Sequence, residues 1–110
     1  MTTAGLVEPG WLQDYVPNQV RLRCAYKRQG KNIIQYTAQL ELFHEGVWKP
    51  IVRYDNAHGF CHRDNIHPDG TQDKIAMFIG TANETFTRAV KEIQSNWESH
   101  VARYLGEIRR

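Results

Sequence analysis

The sequence predicts an α+β domain, an antiparallel meander sheet of three to five strands packed against one long C-terminal amphipathic helix. Two observations carry this expectation. Apolar and polar residues alternate with period two through three successive segments joined by short turns, which is the signature of half-buried strands. Beyond residue 80 the apolar period changes to three and four, which marks a helix with one buried face. A chain of 110 residues fits one domain. A hydrophobic fraction of 41%, with three tryptophans, five tyrosines and four phenylalanines, is enough to build its core.

Residues 1–18 contain Pro9, Gly10 and Pro17 and no sustained period. They are expected to form an arm lying on a domain of residues 19–110, pinned by Trp11 and Tyr15. From Val20 onward, Leu22, Cys24 and Tyr26 alternate with Arg21, Arg23, Ala25 and Lys27, a strand with one basic face. The turn Gln29-Gly30-Lys31-Asn32 leads into Ile34, Tyr36, Ala38, Leu40 and Leu42, alternating with Gln35, Thr37, Gln39 and Glu41. After the turn His44-Glu45-Gly46, a third strand is expected to point Trp48, Pro50, Val52 and Tyr54 one way and Lys49, Ile51 and Arg53 the other. Pro50 cannot donate to a ladder and marks an edge or a bulge. His67-Pro68-Asp69-Gly70 has the residues of a tight turn, and residues 74–79 are short enough to be a strand or a buried segment. Thr81 or Asn83 can cap the helix, with Glu84 in its first turn. Phe86, Ala89 or Val90, Ile93, Trp97, Val101, Tyr104 or Leu105, and Ile108 then line one face of roughly 25 residues, ~38 Å of helix. Strands of about six residues span only ~20 Å. The last turns, at Val101, Leu105 and Ile108, should therefore overhang the sheet and need the N-terminal arm or a second chain, for instance in a homodimer.

The net charge of +2 is too small for a histone-like nucleic-acid coat. Residues 1–18 lack the apolar core and basic lead-in of a signal peptide. The longest apolar run, residues 75–79, falls far short of the ~20 residues that span a bilayer. A cytoplasmic protein with no membrane attachment is expected, with Cys24 and Cys61 as free thiols, because two cysteines are too few for a disulfide scaffold.

Chemistry-bearing residues concentrate in residues 53–64, Arg-Tyr-Asp-Asn-Ala-His-Gly-Phe-Cys-His-Arg-Asp. If Gly59 bends this stretch, His58 and His62 face each other across the bend. If the stretch stays extended, they share parity and still point to one face. Two imidazoles near pKa ~6.5 can divide general-base and general-acid work at neutral pH. Arg53 or Arg63 can neutralise a phosphate, and Asp55 or Asp64 can hold a histidine tautomer. Lys74 and Asn56 add further substrate contacts. The inventory suits metal-independent cleavage of RNA through the ribose 2′-hydroxyl, which needs no protein nucleophile and no cofactor. Plain turn chemistry is the alternative reading of Asp55-Asn56 and His58-Gly59. A metal-dependent hydrolase is another reading, since His58, Cys61, His62 and His67, or His58, His62 and Asp64, contain ligand atoms; their spacing matches no zinc-finger pattern. Nothing points to an activated Cys61 thiolate. No phosphate loop, dinucleotide fingerprint, serine elbow or zincin helix is present. A different class of function is a non-catalytic interaction protein acting through its C-terminal helix. The basic face of Arg21, Arg23, Lys27 and Arg28 can track a phosphate backbone or simply be solvated.

The run from Val52 to Gly59, followed by His62-Arg63-Asp64 and His67-Pro68-Asp69-Gly70, resembles the small TumE-like toxins of toxin–antitoxin pairs. It looks still closer to a related group of small bacterial proteins of unassigned function. The likeness extends over residues 33–93 in layout and 53–70 in motif. These toxins tend to carry an adjacent or near-adjacent histidine pair, whereas here three residues separate His58 from His62. The resemblance implies a toxin with a ribonuclease-like activity whose antitoxin partner is encoded beside it.

Overall fold

In the computed structural model, residues 9–109 are described. Six strands run β1 (Gly10–Val16), β2 (Val20–Gln29), β3 (Asn32–His44), β4 (Val47–Asp55), β5 (His62–Ile66) and β6 (Gln72–Ala76), and helix α1 (Ala82–Ile108) closes the chain. Each strand pairs antiparallel with the next, so the sheet order is the chain order. The class is the expected α+β meander with one C-terminal helix, but the sheet has six strands rather than three to five.

Two of the added strands were hidden for different reasons. β1 lies within the expected arm, whose residues 1–8 fall outside the described residues. Its alternate residues turn toward the helix, where Trp11 packs on Phe86 at 5.8 Å between ring centres and Tyr15 stacks on Trp97 at 5.5 Å. β5 reads His-Arg-Asp-Asn-Ile, yet His62, Asp64 and Ile66 are buried, an alternation made mostly of polar residues.

The turns follow local rules. Asn18 takes a positive φ of 61° between β1 and β2, which asparagine tolerates better than most residues. Glu45 and Gly46, both with positive φ, form the two-residue link between β3 and β4.

β4 lies between β3 and β5, but β5 pairs only with Val52, Arg53, Tyr54 and Asp55, so Pro50 sits where β4 has β3 alone beside it. Leu40 pairs with Val52 but Glu41 pairs with Pro50, leaving Ile51 as an extra residue in a bulge. The bulge breaks the expected common face of Trp48, Pro50, Val52 and Tyr54. Val52 and Tyr54 stay on the side covered by the helix. Trp48 turns to the open side, where Arg21 lies 3.9 Å over its ring.

One sheet face, carrying Leu22, Cys24, Tyr36, Ala38, Leu40, Val52 and Tyr54, packs against Phe86, Ala89, Ile93 and Tyr104 of α1. Thr81 caps the helix in a reciprocal box with Glu84. Asn83 instead accepts the Ile33 N–H at 2.7 Å. The expected overhang is confined to Ile108, which stays 38% exposed, because β3 is 13 residues long and at ~3.3 Å per residue spans ~43 Å. The 27-residue helix needs ~40 Å at 1.5 Å per residue. Val101 and Leu105 pack against the chain's own core. Arg103 ties the last turns down by donating to the carbonyls of Ile51 at 2.9 Å and Ile66 at 2.8 Å. Among the described residues, no helix is long and apolar enough to cross a membrane.

Candidate active site on the open sheet face

The second sheet face is not covered by the helix, and the chemistry-bearing residues collect there. At the end of β4, Asn56 pins the chain to the start of β3. Its amide donates to the Ile34 carbonyl at 3.1 Å and accepts the Tyr36 N–H at 3.0 Å. Asp55 accepts the Ala57 N–H at 3.0 Å, and the Gly59 N–H returns to the Asn56 carbonyl at 3.0 Å. Gly59 has φ 86°, a conformation that suits glycine. This turn sends β5 back with His62 opposite Asp55 and Asp64 opposite Arg53. The next hairpin sets Lys74 opposite Asp64. Cross-strand partners share a face, so Arg53, Asp55, His62, Asp64 and Lys74 all project to the open side.

The bend at Gly59 brings the histidines together: the rings of His58 and His62 are 5.7 Å apart and 26° from parallel. Phe60 approaches His62 from another direction at 5.8 Å. Beneath them His62 is only 1% exposed. Its Nε2 lies 3.0 Å from Asp55 Oδ1 and 3.0 Å from Lys74 Nζ. Lys74 also reaches Asp64 Oδ1 at 2.9 Å. The carboxylate asks Nε2 to donate a proton and the ammonium asks it to accept one, and a single nitrogen cannot satisfy both. Nδ1 is buried with no hydrogen-bond partner among the described residues.

A cavity of about 230 Å³ opens beside Asp55, lined by Lys27, Gln35, Tyr36, Thr37 and Ala57. Across the sheet from it, Arg53 donates to Gln39 at 2.8 Å, and Gln39 donates to Glu41. The buried Glu41 also pairs with Arg21 at 2.7 Å and Arg23 at 3.1 Å. Two members of the expected basic face are thus joined to a carboxylate.

Other expected members lie elsewhere. Arg63 is between His62 and Asp64 in a pleated strand, so it points to the helix side. There it faces Tyr54 Oη at 3.4 Å and Glu92 at 3.8 Å. It cannot join Arg53 in one phosphate clamp. Asn56 is committed to the backbone of β3. Cys61 is buried with its thiol against Tyr36, whose hydroxyl is pushed up first by burial and then by that thiol. His67 lies between Glu107 at 2.9 Å and Asp73 at 2.8 Å, away from the other two histidines. The carboxylate-bearing metal set read from the sequence is likewise changed. The ligand atoms that converge within 4.8 Å of one another belong to Asp55, His62 and Asp64.

A second polar cluster went unnoticed in the sequence. On the helix side Glu92 accepts from Tyr54 at 2.6 Å and meets His100 at 3.0 Å. Burial alone would raise its carboxyl, but the bonds from His100 and Tyr54 outweigh burial and hold it at about 2. The spacing of Glu92, Asn96 and His100, four residues apart on a helix, was the available signal.

Comparison with known proteins yields one family model, described as a domain of unknown function, which matches residues 7–110. No curated protein and no solved structure matches the chain.

Proposed function

The chain belongs to DUF7718, a family defined by a domain of unknown function, and we propose that it is a toxin-type ribonuclease with a metal-independent acid–base centre on the open sheet face. The observation that carries this reading is the pairing of His58 with His62, 5.7 Å apart, with Asp55 at the second ring's Nε2. Cleavage through the 2′-hydroxyl needs a base, an acid and a cationic clamp. The exposed His58 takes the 2′-hydroxyl proton as that oxygen attacks phosphorus. The bond from phosphorus to the 5′-oxygen breaks, and the departing oxygen takes a proton from the His62–Lys74 pair, whose lysine side chain is 51% exposed. The products are a 2′,3′-cyclic phosphate end and a free 5′-hydroxyl. Arg53 and Lys74 attract the phosphate, and Asp55 orients the His62 ring. Lys27, Gln35 and Thr37 around the neighbouring cavity offer contacts to a nucleotide. The toxin role rests on the sequence resemblance, and its partner is an antitoxin encoded alongside.

The test is RNA cleavage by the purified chain in EDTA, with the ends of the fragments analysed, beside growth of a bacterial host during controlled expression. The expected result is 2′,3′-cyclic phosphate ends and arrested growth, both lost in His58→Ala. Intact RNA together with unimpeded growth defeats the reading, as does a His58→Ala variant that matches the parent.

A further inference from the structure

We propose that Asp55, His62 and Asp64 form a site for a zinc-class divalent transition ion, and that the Lys74 ammonium holds the same place as a displaceable cation. The inference does not rest on the ribonuclease reading. Strand register, not chance proximity, brings the three residues together. Asp55 ends β4 directly opposite His62, and the pleat of β5 returns Asp64 to the same face. One atom from each lies within 4.8 Å of the others.

Two further observations point to a cation. Lys74 Nζ already sits 2.9 Å from Asp64 Oδ1 and 3.0 Å from His62 Nε2, so the surroundings are built for positive charge. The contest at Nε2 is the second. A metal ion takes the Nε2 lone pair and the carboxylate oxygens together, which removes the opposing demands of Asp55 and Lys74 on one nitrogen. His62 is 1% exposed, with the rings of His58 and Phe60 packed against it, so the ring cannot escape that contest by turning into water.

The donor set selects the ion. One imidazole with two carboxylates suits zinc and its neighbours, whereas magnesium and calcium prefer shells of oxygen. The Asp55 side chain is 16% exposed and that of Lys74 is 51% exposed. An ion can therefore enter from the open face, and the ammonium can swing into water on its flexible stem.

The experiment is calorimetric titration of the untagged full chain, freed of metal, with zinc chloride and with magnesium chloride. Circular dichroism of every variant checks the fold. The parent is expected to bind zinc and show no magnesium binding at the same concentrations. Lys74→Met removes the competing ammonium from a half-exposed position and should bind zinc about tenfold more tightly or better, while His62→Gln and Asp64→Asn should lose about 100-fold, the scale of a lost ligand or its support. The proposal is overturned if neither the parent nor Lys74→Met binds zinc. It is also overturned if Lys74→Met leaves the affinity unchanged, or if binding survives in a folded Asp64→Asn and vanishes in His67→Gln, which would place the ion at His67, Asp73 and Glu107. RNA cleavage reports separately. Bound zinc should suppress it by occupying Nε2; cleavage that needs zinc would retire the metal-independent mechanism and leave the ion site standing.

Discussion

Lys74 on β6 places its ammonium 2.9 Å from the Oδ1 of Asp64 on β5, a side chain only 4% exposed. Removing the lysine as Lys74→Met strands a buried carboxylate. A fully buried pair would lose ~3–5 kcal/mol when broken, but the lysine is half in water, so about 1–2 kcal/mol is expected. Urea unfolding at neutral pH measures it, and Asp64→Asn in the Lys74→Met background should recover part of the loss. An unchanged urea midpoint in Lys74→Met would mean that Asp64 finds its stabilisation elsewhere.

Glu92 makes the fold acid-sensitive. A depressed carboxyl contributes stability above its ordinary pKa of ~4.3, and that contribution disappears as pH falls from there toward about 2. Tyr54→Phe or His100→Gln removes a bond that holds the ionised form, so acid unfolding should begin at higher pH in either variant. Tyr54→Phe should also cost about 1–2 kcal/mol at neutral pH, through the lost hydrogen bond to Glu92. Tryptophan fluorescence during acid titration follows both effects; coincident curves for parent and variants would disprove the coupling.

His67 holds the helix end to the β5–β6 hairpin. Its bond to Glu107, and then its bond to Asp73, raise the imidazole above its usual value, and His67 in turn lowers Glu107. A raised histidine stabilises fully below its unfolded pKa of ~6.5. That contribution is lost as pH rises through the folded value. The His67 ring resonances should titrate with a midpoint above ~6.5, and Glu107→Gln should bring the midpoint down. A midpoint at the ordinary value would show the bond to be absent in solution.

The helix cap offers a test confined to local structure. Thr81 accepts the Glu84 N–H at 3.1 Å, and Glu84 accepts the Thr81 N–H at 2.8 Å. Thr81→Ala should lower stability by about 1 kcal/mol without touching the open face. Thermal unfolding measures the change, and RNA cleavage by the folded variant should match the parent.

Much of the fold was legible because it is written in local periods. The alternation through Leu22, Cys24, Tyr36, Ala38 and Leu40, and the helical spacing of Phe86, Ala89 and Ile93, identify which residues meet in the core. Pro50 flagged a break in β4, and the bulge at Ile51 is that break. β5 stayed hidden because His62 and Asp64 occupy positions that apolar residues usually fill. Their burial depends on what lies opposite and above, and period alone cannot report that.

The sequence by itself determined the α+β class, the capped helix and the concentration of polar groups in residues 53–64, because each depends on neighbours only a few positions apart. It also determined that His58 and His62 would share a side, since a bend and an extended strand give the same answer. Only the tertiary structure decided that Lys74 joins Asp55, His62 and Asp64 while Arg63 faces the helix. Strand register sets those partnerships, and in a pleated sheet one residue of register is the difference between a side chain inside the cluster and one on the opposite face.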